Sequence, residues 1–191
     1  MSTQWTILNP LPEYHWHTSE TKELRESLNA EISDHLSARA ELDDAYRIAN
    51  DADVEGVSYA ELKSAENLRE RRFNLLQAEI ALRQKLSGFY SQESRDANAR
   101  IHDLASKMEE TRGEVAKALL QAGYIEPVTG QPVQGAYTQD MINRHPWIVW
   151  AHRDVQSVRE IAGNRERNPA NLDRINEAKK DLGRIRAEMT V

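Results

Sequence analysis

The residues best equipped for chemistry are the histidines and their acidic neighbours, and each group meets a specific obstacle. His15-Trp16-His17, with Glu13 close by, could present two imidazoles to a metal if the chain curls. An H-x-H pair lacks the third and fourth ligands that a zinc site needs, and His35 is linked to it by no spacing rule. Asp51, Asp53 and Glu55 alternate as calcium ligands do, with Gly56 and Glu61 near the positions of an EF-hand glycine and distal glutamate. The intervening Ala52 and Val54 and a competing capping role for Glu61 favour a plain connection between helices. His145, His152 and Asp154 have no nucleophile beside them and so do not compose a triad. A di-iron bundle wants Glu-x-x-His pairs, and His35, His102 and His152 are preceded at that spacing by Ile32, Ala99 and Val149. Gly130 lies outside any G-x-x-x-x-G-K context. The expectation is a non-enzymatic chain with no catalytic, cofactor-binding or metal-ligating residues.

The elements that would position any site are helices. Residues 58–123 contain no proline and repeat apolar side chains every three or four positions: Leu62, Ala65, Leu68, Leu75, Ala78, Leu82, Leu86, Phe89, Ala97, Ile101, Leu104, Met108, Val115, Ala118 and Ala122. From Ala97 onward the spacing is that of a coiled-coil seam. Ser58 and Glu61 form a capping box at the start, and Gly123 is placed for the left-handed residue past the end. Ser87-Gly88 is the weak point, where one helix could become two. The apolar phase runs through it without resetting, which favours a continuous helix.

Helix one is expected from Thr18 or Ser19, either of which can cap, to about Asn50, with Leu24, Leu28, Ile32, Leu36, Leu42, Ala45 and Ala49 on its apolar face. It should return antiparallel along roughly residues 58–90. Val128-Thr129-Gly130-Gln131, between Pro127 and Pro132, reads as a tight turn joining two short arms, with both prolines off the pairing edge. Thr138 is placed to cap a short helix through Met141 and Ile142. His145-Pro146 and Asn168-Pro169 then each start a helix with proline at the first position. The expected cover for residues 90–122 is this C-terminal pair.

The predicted fold is thus all-α: a long antiparallel helical hairpin, or coiled-coil-like bundle, around a long central helix. Its segments are an extended N-terminal arm (1–17), the hairpin (18–123), a turn-rich loop (124–137) and C-terminal helices packing back on the long one (138–191). The composition, 29% charged with 2 phenylalanines, suits narrow helix–helix seams rather than a deep core.

The chain holds no cysteine, which excludes disulfides and thiol catalysis and fits a cytoplasmic setting. The first residues have neither the basic nor the apolar stretch of a secretory leader, and no apolar run is long enough to span a bilayer. The net charge of −6 is uneven: residues 1–50 hold 4 basic and 9 acidic side chains, residues 144–191 hold 10 and 7.

These features point to a structural or adaptor protein that works through helix–helix contacts. Its partners would be copies of itself or a larger assembly such as a virion or another multi-subunit machine. Candidate partner-binding residues are Trp5, Leu8, Leu11 and Trp16 on the arm, Ile101, Leu104 and Met108 on the seam, and Trp147 and Trp150, which share a helix face three residues apart. The alternative is a regulatory module binding nucleic acid, or a protein bound to it, through Arg153, Arg159, Arg165, Arg167, Arg174, Lys179, Lys180, Arg184 and Arg186. Seven interleaved acids dilute that charge and disfavour it.

Overall fold

A computed structural model of the chain describes residues 8–51, 59–135, 137–163 and 167–189. The fold is all-α, with five helices among the described residues: α1 (Ser19–Asp51), α2 (Tyr59–Gln121), α3 (Thr138–Asn143), α4 (Pro146–Ala162) and α5 (Arg167–Met189). No helix is long and apolar enough to cross a membrane among those residues. Trp5, Arg165, the Ser58 end of the capping box and the acidic connection after Asp51 lie outside the described residues.

Thr18 caps α1: its Oγ1 accepts from the Thr21 N–H at 3.3 Å, and its carbonyl accepts from the Lys22 N–H at 3.0 Å. Helix α2 is continuous through Ser87-Gly88 for 63 residues. The preserved phase explains why, since Leu86, Phe89, Glu93 and Ala97 are all buried across the glycine. Packing on both sides outweighs the roughly 1 kcal/mol that a helical glycine costs. At the far end Gly123 adopts φ +79°, the Tyr124 N–H reaches the Leu119 carbonyl at 2.8 Å, and the Gly123 N–H reaches that of Leu120 at 3.1 Å. These bonds compose the Schellman cap expected of a left-handed glycine.

The chain divides into two compact units, residues 1–92 with 165–191 and residues 93–164. In the first, α1 runs antiparallel to the early part of α2. Leu28 and Ile32 pack with Leu82, Leu86 and Phe89, the Tyr46 hydroxyl donates to the Leu68 carbonyl, and Lys85 bridges to Glu31 at 2.7 Å. Helix α5 lies along the same part of α2, with Ala178 and Ile185 against Leu76. That placement departs from the expected cover of residues 90–122 by both C-terminal helices.

The departure also corrects the apolar stripe on α2. Leu76 and Glu79 are buried where Ala78 is exposed, because α2 must face two helices here and a single seam does not suffice. On α5, Leu172 and Met189 are exposed while Asn171 and Arg174 are buried. Pro169 stands in the first turn of α5 two residues later than expected. It costs nothing there, because first-turn N–H groups have no intrahelical acceptor.

In the second unit α4 runs antiparallel to the later part of α2, Ala151 and Val155 packing with Leu104 and Met108. Pro146 occupies the first turn of α4, and the helix stops at Gly163. Leu119, not Ala118, is buried near the end of α2, beside Ile142 and Ile148. A straight helix drifts about 20° per heptad away from a strict seven-residue repeat, so a stripe extrapolated by heptads ends one residue off.

Ile125 and Pro132 form one antiparallel bridge, closed by Glu126 N–H to Gln131 O at 2.9 Å and Val133 N–H to Tyr124 O at 3.0 Å. The flanking residues make both bonds, so the proline's missing N–H is not needed. Thr138 is the buried first residue of α3 with Tyr137 at the cap position, and no side chain caps that helix.

Candidate functional site

One side chain of α1 meets both backbone groups of an arm residue. Asn29 of α1 accepts from the Leu11 N–H through Oδ1 at 2.7 Å and donates from Nδ2 to the Leu11 carbonyl at 3.2 Å. It thereby satisfies both backbone groups of Leu11 as a neighbouring strand would. Glu13 pairs with Arg25 at 2.8 Å. Leu8 and Leu11 join the cluster of Leu28, Ile32, Leu82, Leu86 and Phe89. Trp16 is buried and stacks on Tyr14 at 5.1 Å, and His17 stands edge-on to Trp16 at 4.6 Å and to Phe89 at 6.1 Å. Leu8, Leu11 and Trp16 are therefore covered by their own unit. His17 is packed among aromatic rings, and no three acidic or histidine side chains gather as a metal site would among the described residues.

The seam candidates divide in the same way. Leu104 and Met108 are buried against α4, and Ile101 and Trp147 are half-buried at the edge of that contact. Trp147 also touches the Leu119 cluster, joining the two apolar groups of this unit. Trp150 is 49% exposed, lies 6.2 Å from Trp147, and carries the Arg100 guanidinium 5.8 Å from its ring centroid. Arg100 in turn pairs with Asp154 at 2.9 Å.

Among the described residues, large apolar side chains are exposed at Leu24, Ile48, Trp150, Leu172 and Met189, and at six positions close in sequence. Leu120, Tyr124, Val128, Val133, Tyr137 and Met141 all come from the end of α2, the bridge and α3. A backbone hydrogen bond ties Val133 to Tyr124 across the bridge, and Tyr137 and Met141 stand one turn apart at the start of α3. None of the six was singled out from the sequence as a partner-binding candidate. The signal was there: a 20-residue stretch, 124–143, with apolar side chains and no basic residue.

The other feature missed in the sequence is a buried polar layer where α2 and α5 meet. Glu79 Oε1 accepts from Arg83 Nε at 2.7 Å and lies 3.8 Å from Arg174 Nε. Asn171 accepts from Arg83 Nη1 at 3.3 Å and donates to the Arg83 carbonyl at 2.7 Å and the Ser87 hydroxyl at 3.0 Å. Glu79, Arg83, Asn171, Arg174 and His35 are all buried. Burial pushes the His35 imidazole below its usual range, against the pull of Glu79. Burial also pushes the Arg39 guanidinium down. An open groove of about 490 Å³ borders this layer, between the arm at Leu8–Pro12, Tyr90 of α2 and the first turns of α5. The clue in the sequence was the i, i+4 pair Glu79–Arg83 set between Leu76 and Leu86.

Of the nine basic residues weighed for nucleic acid, Arg174 is in this buried layer, Arg184 pairs with Asp181, and the Arg186 guanidinium lies 5.9 Å from the Phe73 ring centroid. Arg153 and Arg159 belong to the other unit. Comparison of the chain with protein-family models, curated proteins and solved structures finds no match.

Proposed function

We propose that this chain is a non-enzymatic structural or adaptor protein that works through protein–protein contacts, as a homo-oligomer or as a subunit of a larger assembly. The observation that carries the reading is the run of exposed large apolar side chains at Leu120, Tyr124, Val128, Val133, Tyr137 and Met141. Large apolar groups left at the surface together are characteristic of surfaces that another protein covers. Tyrosine suits such a surface, since it offers a wide ring at low entropic cost. The arm is a weaker docking element, because Leu8, Leu11 and Trp16 already fill their own core. Deleting residues 1–17 would open that core as well as remove any docking contact.

The test therefore uses surface changes. Light scattering at micromolar concentration should give a mass above the 21.9 kDa of one chain, or affinity purification from the native source should recover a stoichiometric partner. Tyr124→Ser with Tyr137→Ser should abolish whichever association is seen while leaving the helical circular dichroism unchanged. A wild-type monomer that recovers no partner, or an association indifferent to the double substitution, overturns the proposal.

A further inference from the structure

The turn from Glu126 to Gln131 is built as a rigid knob. The Gly130 N–H reaches the Glu126 carbonyl at 2.8 Å, and the Glu126 N–H reaches the Gln131 carbonyl at 2.9 Å. The Thr129 hydroxyl donates to the Glu126 carboxylate at 2.6 Å and accepts from the Gln131 N–H at 3.3 Å. Pro127 fixes one backbone angle, and Gly130 supplies the left-handed residue at φ +64°. At the tip stands Val128, 93% exposed. An apolar side chain on a turn that is already ordered loses little entropy on docking. The charge around it has one sign: no Lys or Arg stands between Lys117 and Arg144, whereas Glu126 and Asp140 do.

The groove beside the arm is the counterpart. Its volume of about 490 Å³ is within the ordinary range of binding pockets. Pro10, Pro12 and Ala170 line it as exposed apolar groups, and Tyr90 lines it half-buried. Its charged lining sets Arg83, Arg167 and Arg174 against Asp173 and Glu177. Glu177 is already paired with Arg174, and Glu79, which holds Arg83, is not on the lining. An incoming apolar group with a carboxylate beside it meets apolar surface and an excess of guanidiniums here.

We propose that the Val128 knob of one copy seats in the groove of a second copy, on Pro10, Pro12, Tyr90 and Ala170, with Glu126 toward Arg167. The proposal rests on the reading that another protein covers the stretch from Leu120 to Met141, and it names that protein as this chain. Pairing knob to knob would bring the like carboxylates of Glu126 and Asp140 together, whereas knob to groove sets carboxylate toward guanidinium. The two patches differ, so the contact is heterologous. Each copy offers one knob and one groove, and copies link head to tail until a ring closes or a filament grows.

Two surface variants of the full chain test this by light scattering over a micromolar concentration series. Val128→Ser removes the apolar tip and leaves the groove. Ala170→Glu fills the groove with a carboxylate that repels Glu126 and leaves the knob. Both positions are exposed, so the helical circular dichroism should not change. Each variant alone should need about tenfold more protein than wild type to associate, as loss of one buried valine implies. Mixed one to one, the variants should pair through the remaining knob and the remaining groove, and the mass should level near twice 21.9 kDa. A Val128→Ser variant that associates as wild type does, or a mixture that pairs no better than its parts, overturns the proposal. A wild-type monomer that recovers a different stoichiometric partner also overturns it, and leaves the reading of the exposed stretch standing. Association lost in Tyr124→Ser with Tyr137→Ser but kept in Val128→Ser separates the two in the same way. A wild-type monomer with no partner overturns both.

Discussion

Asn29 and Leu11 are joined by two hydrogen bonds that use both ends of one side-chain amide and both backbone groups of one arm residue. They stand eighteen positions apart in the sequence, and this side chain acts with the Glu13–Arg25 pair and the packing of Leu8 and Leu11 to set where the arm lies on α1. Asn29→Ala leaves the Leu11 N–H and carbonyl beside the apolar cluster without these partners. The expected loss is ~1–3 kcal/mol. It should appear as a lower urea midpoint together with faster protease cleavage ahead of Tyr14. Asn29→Asp keeps the acceptor and loses the donor, so it should fall between wild type and alanine. Cleavage at the wild-type rate in Asn29→Ala would show that apolar packing and the Glu13–Arg25 pair hold the arm without it.

Glu79 is the carboxylate on which Arg83 of its own helix and Arg174 of α5 converge. Its side chain is almost wholly buried. Glu79→Leu removes that carboxylate while leaving two buried guanidiniums in place, and the expected cost is ~3–5 kcal/mol. Glu79→Gln keeps the shape and one hydrogen bond and should cost less. Replacing Glu79, Arg83 and Arg174 together by leucine should recover much of the stability lost in the single variant, because well-packed apolar groups commonly match a buried ion network. Urea denaturation at pH 7 measures all three. A single Glu79→Leu variant within ~1 kcal/mol of wild type would show that the arginines are adequately compensated without it.

The helices were legible because periodicity and punctuation agree: Thr18, Gly123, Pro146 and Gly163 mark ends, and the apolar phase through Gly88 marks a continuation. Which helix covers which part of α2 was not legible. Leu172, Ile175, Leu182, Ile185 and Met189 define an apolar side on α5, but spacing along one helix says nothing about the stretch of partner it meets. The answer lay in polar residues. Asn171 and Arg174 complement Arg83 and Glu79 in the first unit, beside the apolar contacts of Ala178 and Ile185 with Leu76. An apolar stripe is generic and many registers satisfy it, whereas a buried ion network tolerates few. The same logic explains the candidate residues. Large apolar side chains chosen for their type, such as Leu8 and Trp16, proved to be core, because burial is what such residues do wherever a groove exists. The set from Leu120 to Met141 differs in being exposed among the described residues, which no single-sequence pattern encodes.

Two glycines on α2 should respond to alanine with opposite signs. Gly88 is helical, and a Cβ built on it meets nothing within 4 Å. Gly88→Ala therefore removes a propensity cost and reduces the freedom of the unfolded chain without a clash, for an expected gain of ~0.5–1 kcal/mol. Gly123 also has open space around it, but its φ of +79° is one that L side chains avoid. Gly123→Ala should cost ~1 kcal/mol or more, since the Schellman bonds to Leu119 and Leu120 require that left-handed turn. Gly123→Asn should cost less, because asparagine tolerates this region better than alanine. Thermal melts of the three variants decide the matter. If Gly88→Ala lowers the midpoint, the glycine is needed for something other than helix geometry. If Gly123→Ala leaves the midpoint unchanged, the end of α2 can close without the left-handed residue, and the hairpin after it is not anchored by this cap.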